Sequence, residues 1–156
     1  MPRFYKAILI LVSLQVLFSA VLVNAQTPPP PDKVFPLAVR RADDGVLTLR
    51  WAAASGNYLY RDHFRARVDG RTLPLELPEG QEKDDPNFGL VRIFHGSVEG
   101  QLSGLPSSGK LEVSYQGCAE QGICYPPIAK SIDLATLTIS NVRLGLGGES
   151  ADNSAV

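Results

Sequence analysis

Cysteine is scarce in this chain, and its scarcity narrows what the sulfur atoms can do. Cys118 and Cys124 are the only cysteines among 156 residues, and five residues separate them. Two cysteines are too few for a disulfide-rich framework, so the pair is either one structural disulfide or a redox couple. The remaining sequence has to distinguish these two interpretations.

The chain also has no large excess of positive or negative charge. Removal of residues 1–25, which contain Arg3 and Lys6, leaves 13 of the 15 basic residues against 16 acidic residues, a net charge of −3. Proteins that bind nucleic acid are usually strongly basic on one face, so no nucleic-acid partner is expected. After residue 25, no apolar run is long enough to cross a membrane.

The N-terminus has the features of an export signal. Two basic residues precede an apolar run from Ala7 to Val23, and small residues suited to signal-peptidase cleavage follow, ending at Ala25. We predict a cleaved signal peptide over residues 1–25, with an uncleaved N-terminal membrane anchor as the alternative. The mature protein is then exported, and exported thiol pairs can be oxidised.

Composition divides the mature chain into three parts. Residues 26–33 contain four consecutive prolines and are predicted to form an extended linker. The segment 34–140 is predicted to form one domain with a modest core. Residues 141–156 are rich in Gly, Ser and Asn and are predicted to form a flexible tail.

The apolar residues of the predicted domain recur with a period of two. Short stretches alternate between apolar and polar residues at 47–51, 64–68, 111–115 and 132–134, and no segment has the pattern of a long amphipathic helix. We expect seven to nine strands, which favours an all-β fold, an immunoglobulin-like antiparallel β-sandwich. The predicted core residues are Leu47, Leu49, Trp51, Phe64, Val68, Leu111 and Val113.

The cysteines follow one of these predicted strands. The strand that begins at Lys110 is predicted to end at Gly117, and Cys118 then starts a loop that ends at Cys124. The Pro-Pro pair that follows cannot continue a central strand, so the far end of the loop is expected to be extended. A strained or exposed disulfide at a sheet edge is expected, and a structural and a redox role both remain open.

Tyrosines flank the cysteines and recur on an earlier strand. Tyr115 and Tyr125 lie beside the pair in sequence, and Tyr58 and Tyr60 lie two residues apart on one strand face. Their hydroxyls can hydrogen-bond or orient a thiolate, and their rings can exclude water. Ordinary cross-strand packing is the alternative explanation for Tyr58 and Tyr60.

These residues resemble segments of a known family. The run Tyr115-Gln116-Gly117-Cys118, with Cys124-Tyr125-Pro126-Pro127 after five further residues, resembles the active-site segment of the N-terminal periplasmic domain of the thiol:disulfide interchange protein DsbD. Tyr58-Leu59-Tyr60-Arg61 resembles a second segment of that domain, and 84–89 falls at its cap loop. The resemblance extends over about residues 34–134.

The resemblance implies an immunoglobulin-like sandwich whose two cysteines cycle between dithiol and disulfide. By position, Cys124 matches the cysteine that attacks partner disulfides, and Cys118 matches its resolving partner. The residues that the resemblance places around the pair are Tyr58, Tyr60, Asp85 and Phe88, with 85–89 as the cap.

The resemblance also implies partners. In that family the domain takes electrons from a thioredoxin-like domain and passes them to periplasmic acceptors, which include a disulfide isomerase and a thioredoxin-like protein of cytochrome c maturation. We expect this chain to be a free-standing version in the periplasm. Its donor, a thioredoxin-like domain or a membrane electron transporter, is then expected on a separate chain.

The cap sequence departs from the family pattern. Pro86 and Asn87 stand where the family usually has an acidic and an aromatic residue, so Phe88 is the single ring of this segment. We expect Lys83–Gly89 to be a mobile loop, in which Phe88 packs over the disulfide.

Two alternatives to this interpretation deserve a test. His63 and His95 could join the cysteines in a zinc site, but His63 lies in a charged run and His95 at a strand end, so surface positions are expected, with no metal and no cofactor. The alternative function is an exported binding or chaperone-like β-sandwich with a purely structural disulfide.

Overall fold

The computed structural model describes residues 27–142, and nearly all of the regular structure in that range is β. One helical turn, α1, spans Pro31–Val34, and a 3-10 turn spans Arg61–His63. The strands are β1 (Leu37–Arg41), β2 (Leu47–Ala52), β3 (Asn57–Tyr60), β4 (Arg65–Val68), β5 (Arg71–Leu73), β6 (Gln81–Asp85), β7 (Gly89–His95), β8 (Ser97–Leu102), β9 (Lys110–Tyr115), β10 (Gly117–Ala119), β11 (Ile128–Asp133) and β12 (Ile139–Val142).

The number of strands exceeds the predicted seven to nine because several strands are too short to show alternation. There are twelve in the described range, and β5 and β10 contain only three residues each. Alternation becomes recognisable only over about four to eight residues. The alternating stretches at 47–51, 64–68, 111–115 and 132–134 overlap β2, β4, β9 and β11, whereas β1, β6 and β8 were not predicted, and no helix of ten or more residues occurs within 27–142.

Hydrogen bonding joins the strands into three antiparallel sheets. Their strand orders are β1-β2-β8, β10-β3-β7-β6 and β12-β11-β9-β4-β5. The predicted all-β, immunoglobulin-like antiparallel architecture is confirmed. The sheets enclose one main core, and the second sheet carries a smaller cluster on its other face.

Aromatic rings fill the centre of the main core. The Trp51 ring is fully buried and lies edge-on to Phe64 and Tyr115, with centroid distances of 4.8 and 5.9 Å. Edge-to-face pairs of this kind add to the stabilisation from apolar burial. All seven predicted core residues are buried: Leu47, Leu49, Trp51, Phe64, Val68, Leu111 and Val113.

Strand β3 separates the main core from the smaller cluster. Because side chains alternate across a strand, Leu59 points into the main core while Tyr58 and Tyr60 point to the opposite face. There the two tyrosines pack with Ile93 and Cys118, and all four are buried. This face of the sheet positions the cysteine pair.

The predicted mobile loop over Lys83–Gly89 is wrong for most of its length. β6 continues to Asp85 and β7 begins at Gly89, so only a three-residue tip at 86–88 lies outside the strands. β6 is an edge strand of its sheet, where charged side chains are tolerated and discourage pairing with other chains. The cap is therefore the tip of a regular hairpin.

Both ends of the domain differ from the prediction. Asp32 of α1 forms an ion pair with the buried Lys130, which also donates to Asn141 Oδ1. The expectation of an extended linker is therefore wrong for 31–33, because a helical turn packs there against the body. Asn141 and Val142, assigned to the tail, belong to β12.

Two other expectations concern the ends of the chain. The predicted signal peptide at 1–25 and the tail from residue 143 lie outside the described residues. Among residues 27–142, no helix has the length and apolar character needed to cross a membrane.

Candidate functional site

Cys118 and Cys124 form a disulfide at the edge of the second sheet. Cys118 lies within β10, opposite Tyr58 of β3, and Cys124 pairs with it through an isolated antiparallel bridge. The prediction that Cys118 begins a loop is wrong, because the chain forms a new short strand directly after leaving β9. The predicted position at a sheet edge is correct.

The two cysteines differ in exposure. Cys118 is 0% exposed, whereas Cys124 is half-buried. A partner molecule can therefore contact Cys124 but not Cys118. Of the predicted strained or exposed disulfide, exposure therefore holds only in part, and only for Cys124.

A carboxylate and two tyrosines surround the buried side of the disulfide. The hydroxyls of Tyr58 and Tyr60 donate to Asp85 Oδ2, at 2.6 and 2.7 Å. The Tyr60 oxygen lies 3.2 Å from Cys118 Sγ and 3.9 Å from Cys124 Sγ. Because each hydroxyl has a single hydrogen, already given to Asp85, Tyr60 presents a lone pair to the sulfur atoms.

Asp85 also holds the tip of the hairpin. Its second oxygen, Oδ1, accepts the backbone N–H groups of Asn87 and Phe88, at 2.8 and 3.3 Å. Burial raises the pKa of Asp85, but the hydrogen bonds from Tyr58, Tyr60 and the tip outweigh it and lower that pKa to about 2. Asp85 is therefore a buried anion with four donors, and it joins the disulfide pocket to the cap.

We expect this carboxylate to make stability fall as the pH drops from about 4 to about 2. The pKa of Asp85 is about 2 in the folded state, below its ordinary value of 3.8. The ionised carboxylate therefore stabilises the fold fully at pH values above 3.8, and this stabilisation is lost as the pH falls through about 2. The difference corresponds to about 2 kcal/mol. The measurement is urea unfolding of the natural protein and of Asp85→Asn at pH 6 and pH 2.

The variant isolates this carboxylate from the other acids of the chain. An amide has one acceptor oxygen where Asp85 uses two, so Asp85→Asn is less stable at pH 6. The stability difference between the two proteins is expected to narrow at pH 2. A difference that does not change with pH would contradict the assignment.

The hairpin tip covers the outer side of the pocket. Asn87 Nδ2 lies 3.8 Å from Cys124 Sγ. The Phe88 ring is 49% exposed and lies edge-on to Tyr60 and His63, each at a centroid distance of 5.2 Å. Asn87 is thus the tip residue beside the sulfur, and Phe88 covers the adjacent tyrosine.

His63 belongs to this site, although its sequence context indicated a surface position. Its ring packs on Tyr60 with a centroid distance of 4.8 Å, and Nδ1 lies 2.8 Å from Gln116 Oε1. Since Gln116 Nε2 donates to the Tyr125 carbonyl, at 2.9 Å, its oxygen is the acceptor and His63 Nδ1 is the donor. No local signal separates this histidine from its charged neighbours.

A polar cluster that the sequence analysis missed borders the other side of Tyr58. Lys83 Nζ lies 4.9 Å above the Tyr58 ring and 2.9 Å from Glu120 Oε2. His95 Nε2 lies 2.7 Å from Glu120 Oε1. Glu120 follows Cys118 by two residues, so the cluster fastens the disulfide loop to the hairpin.

The two tyrosines that flank the cysteines in sequence face away from this pocket. Tyr115 is buried in the main core between Trp51 and Phe64, and its hydroxyl donates to the Phe35 carbonyl, at 3.2 Å. Tyr125 packs edge-on against Phe35 in the same core. Of the predicted lining residues, the structure brings together Tyr58, Tyr60, Asp85 and Phe88, and it places Tyr115 and Tyr125 elsewhere.

Comparison with known proteins gives a consistent family assignment. Residues 25–136 match the family described as thiol:disulfide interchange protein DsbD, N-terminal. DsbD 2 of Pseudomonas aeruginosa is 36% identical over 129 residues, which cover 81% of this chain and 21% of that protein. DsbD of Haemophilus influenzae is 36% identical over 112 residues, which cover 69% of this chain and 19% of that protein. This chain thus spans about a fifth of the length of these relatives.

Two solved structures of Neisseria meningitidis are similar to this one. The reduced form of the DsbD N-terminal domain is 30% identical with a TM-score of 0.63, over 72% of this chain and 93% of that one. The second structure is a complex between the DsbD N-terminal and PilB N-terminal domains. There the identity is 27% and the TM-score 0.61, over 76% of this chain and 96% of that chain.

Proposed function

Since the chain belongs to the family of the N-terminal domain of the thiol:disulfide interchange protein DsbD, we propose that Cys118 and Cys124 are its catalytic redox couple. The couple relays electrons to protein disulfides by thiol–disulfide exchange. The observation that carries the proposal is the unequal burial of the two cysteines, with Cys124 half-buried and Cys118 fully enclosed. A purely structural disulfide does not require one accessible sulfur beside a cap.

The chemistry follows from these positions. In the dithiol form, the Cys124 thiolate attacks a partner disulfide and forms a mixed disulfide, and one partner sulfur leaves as a thiolate. Cys118 then loses its proton and attacks Cys124 Sγ, which releases the second partner sulfur. The partner gains two electrons and two protons, and the domain is left with the Cys118–Cys124 disulfide.

The surroundings of each sulfur fit its role. Cys118 is fully buried, with the Tyr60 oxygen as an acceptor at 3.2 Å and the Asp85 carboxylate behind that hydroxyl, which favours the protonated thiol. The Asn87 amide, at 3.8 Å from Cys124 Sγ, is a donor that favours a thiolate there. The site-lining residues of this proposal are Tyr58, Tyr60, Asp85, Asn87, Phe88 and His63.

Partners of two kinds complete the relay. The donor is a thioredoxin-like domain or a membrane electron transporter, and the acceptor is a periplasmic disulfide isomerase or a thioredoxin-like protein of cytochrome c maturation. The neisserial complex between the DsbD N-terminal and PilB N-terminal domains supports a protein partner for this domain. We infer from this role that the domain, which includes residues 31–142, works in the periplasm after removal of a signal peptide at 1–25.

Equilibration of the protein with glutathione buffers tests the proposal. We expect a reduction potential above about −300 mV, because structural disulfides of exported proteins generally lie below that value. We also expect the dithiol form to keep a cooperative thermal transition. Closure of so short a loop contributes only about 2 to 3 kcal/mol, and burial of a few large apolar side chains of the main core, at about 1.5 to 3 kcal/mol each, outweighs it.

The same experiment distinguishes the redox function from the alternative function, in which the disulfide is purely structural. A potential below about −300 mV, together with loss of the transition on reduction, would identify the disulfide as purely structural. An exported binding or chaperone-like sandwich would then be the better description.

A further inference from the structure

Phe35 lies beneath the disulfide loop and contacts the chain at both of its ends. Its ring is fully buried and meets the Tyr125 ring edge-on, with centroids 5.3 Å apart. A Cβ atom at Gly117 would lie 2.5 Å from Phe35 Cζ, so the ring rests directly on the glycine backbone. Gly117 precedes Cys118 and Tyr125 follows Cys124, so a single ring supports both sides of the couple.

The segment that carries Phe35 is itself fixed in place. The Phe35 N–H donates to the Pro31 carbonyl, at 2.7 Å, and the Phe35 carbonyl accepts the Tyr115 hydroxyl. The Tyr125 hydroxyl donates to the Pro29 carbonyl, at 3.1 Å. The Pro-rich segment is therefore tied to the far end of the disulfide loop, and Phe35 has little freedom to move away from it.

Backbone hydrogen bonds close the loop above this ring. The Tyr125 N–H donates to the Gly117 carbonyl, at 3.0 Å, and the Ala119 N–H donates to the Ile123 carbonyl, at 2.8 Å. The first of these bonds joins the two residues on which the Phe35 ring lies. The ring therefore buries and supports the bond that holds the two cysteines side by side.

We propose that Phe35 is a positioning residue of the redox couple, which keeps the two thiols close together after the disulfide is reduced and so favours re-formation of the disulfide. The inference rests on the proposed function of the couple. In the oxidised protein the covalent bond also holds the loop together. In the dithiol form only hydrogen bonds and packing do so, and the Phe35 ring supplies the packing at Gly117 and Tyr125.

The reduction potential separates this role from ordinary core packing. A substitution that destabilises the oxidised and reduced proteins equally leaves the potential unchanged. A substitution that frees the two thiols in the reduced protein makes the disulfide easier to reduce, because their effective concentration towards each other falls.

The experiment compares Phe35→Leu with the natural protein in glutathione buffers. Two glutathione thiols are oxidised to one glutathione disulfide, and their two electrons and two protons pass to the cysteine pair. We expect the equilibrium constant for reduction to rise about fivefold, or about 20 mV for a two-electron couple. Phe94→Leu is the matched control, since Phe94 is buried in the same core and packs against Phe64. It is expected to leave the potential unchanged.

A milder variant keeps the test decisive if Phe35→Leu does not fold. Tyr125→Phe retains the ring contact with Phe35 and loses only the hydrogen bond to Pro29, and we expect a shift of about twofold in the same direction. An unchanged potential in the folded variants, or an equal shift in Phe94→Leu, would overturn the positioning role. A natural protein below about −300 mV would reject the redox function instead, while the shift between variants still reports on Phe35.

Discussion

The Cys118→Ala protein is expected to accumulate mixed disulfides, and the Cys124→Ala protein is expected to accumulate almost none. Removal of Cys118 leaves the accessible sulfur free to attack and removes the thiol that would release the partner. Removal of Cys124 leaves only Cys118, whose side chain is 0% exposed. The difference in mixed-disulfide formation between the two variants is therefore expected to be close to all-or-none.

Intact mass measures this contrast directly. Each variant is incubated with oxidised glutathione, and the fraction that carries one glutathione is followed over time. A thioredoxin-like domain in its disulfide form, analysed by non-reducing electrophoresis, extends the test to a protein partner. Adducts on the Cys124→Ala protein, with none on Cys118→Ala, would reverse the assignment of the attacking cysteine.

Phe88→Ala is expected to increase the rate at which glutathione reduces the disulfide by about tenfold, equivalent to about 1.4 kcal/mol in the barrier. The Phe88 ring covers Tyr60 beside the cysteine pair, so its removal opens a path to the sulfur for a small thiol. Exchange with a protein partner is expected to change less, because docking displaces the tip in any case. The rates are measured by stopping the reaction with an alkylating reagent.

Leu90→Ala is the matched control for this prediction. Leu90 is 73% exposed on the same hairpin, but it alternates with Val91, which packs on the disulfide cluster, so it faces away from the cysteines. It is expected to leave the rate unchanged. Since Phe88 is 49% exposed, its truncation also has little effect on thermal stability, and a large loss of stability without a faster reaction would contradict a covering role.

Period-two alternation locates the strands whose inner face meets the main core. Leu111 and Val113 of β9 mark their strand clearly, because every second residue is apolar and buried. The strand β6, with sequence Gln-Glu-Lys-Asp-Asp, gives no such signal. It lies at a sheet edge, with one face in solvent and the other against a polar pocket, so charged residues occupy both faces.

Spacing alone predicted that Tyr58 and Tyr60 share a strand face, but Asp85 could be predicted as a member of the site only from the resemblance. Tyr58, Tyr60 and Asp85 come together as the family pattern implies. Tyr115 and Tyr125 are adjacent to the site in sequence, but both rings pack in the main core. Sequence proximity to a cysteine therefore does not indicate contact with its sulfur.

The roles of Phe35 and His63 at the site depend on contacts between distant parts of the chain, which local sequence patterns do not indicate. Phe35 follows the predicted linker and lies outside the alternating stretches, so the sequence gives no indication that its ring packs against Gly117. His63 lies among charged residues, and its role depends on Gln116 and on the ring of Phe88.

The disulfide loop also determines how another chain can approach this side of the sheet. β10 is an edge strand, and such strands usually present free backbone groups to which a further strand can pair. Here the loop folds back on β10, so the Gly117 carbonyl and the Ala119 N–H are already bonded to Tyr125 and Ile123. A visiting protein therefore cannot extend the sheet at these positions and has to recognise side chains and the sulfur of Cys124. The same arrangement shields the domain from edge-to-edge aggregation while its cysteines are being oxidised and reduced.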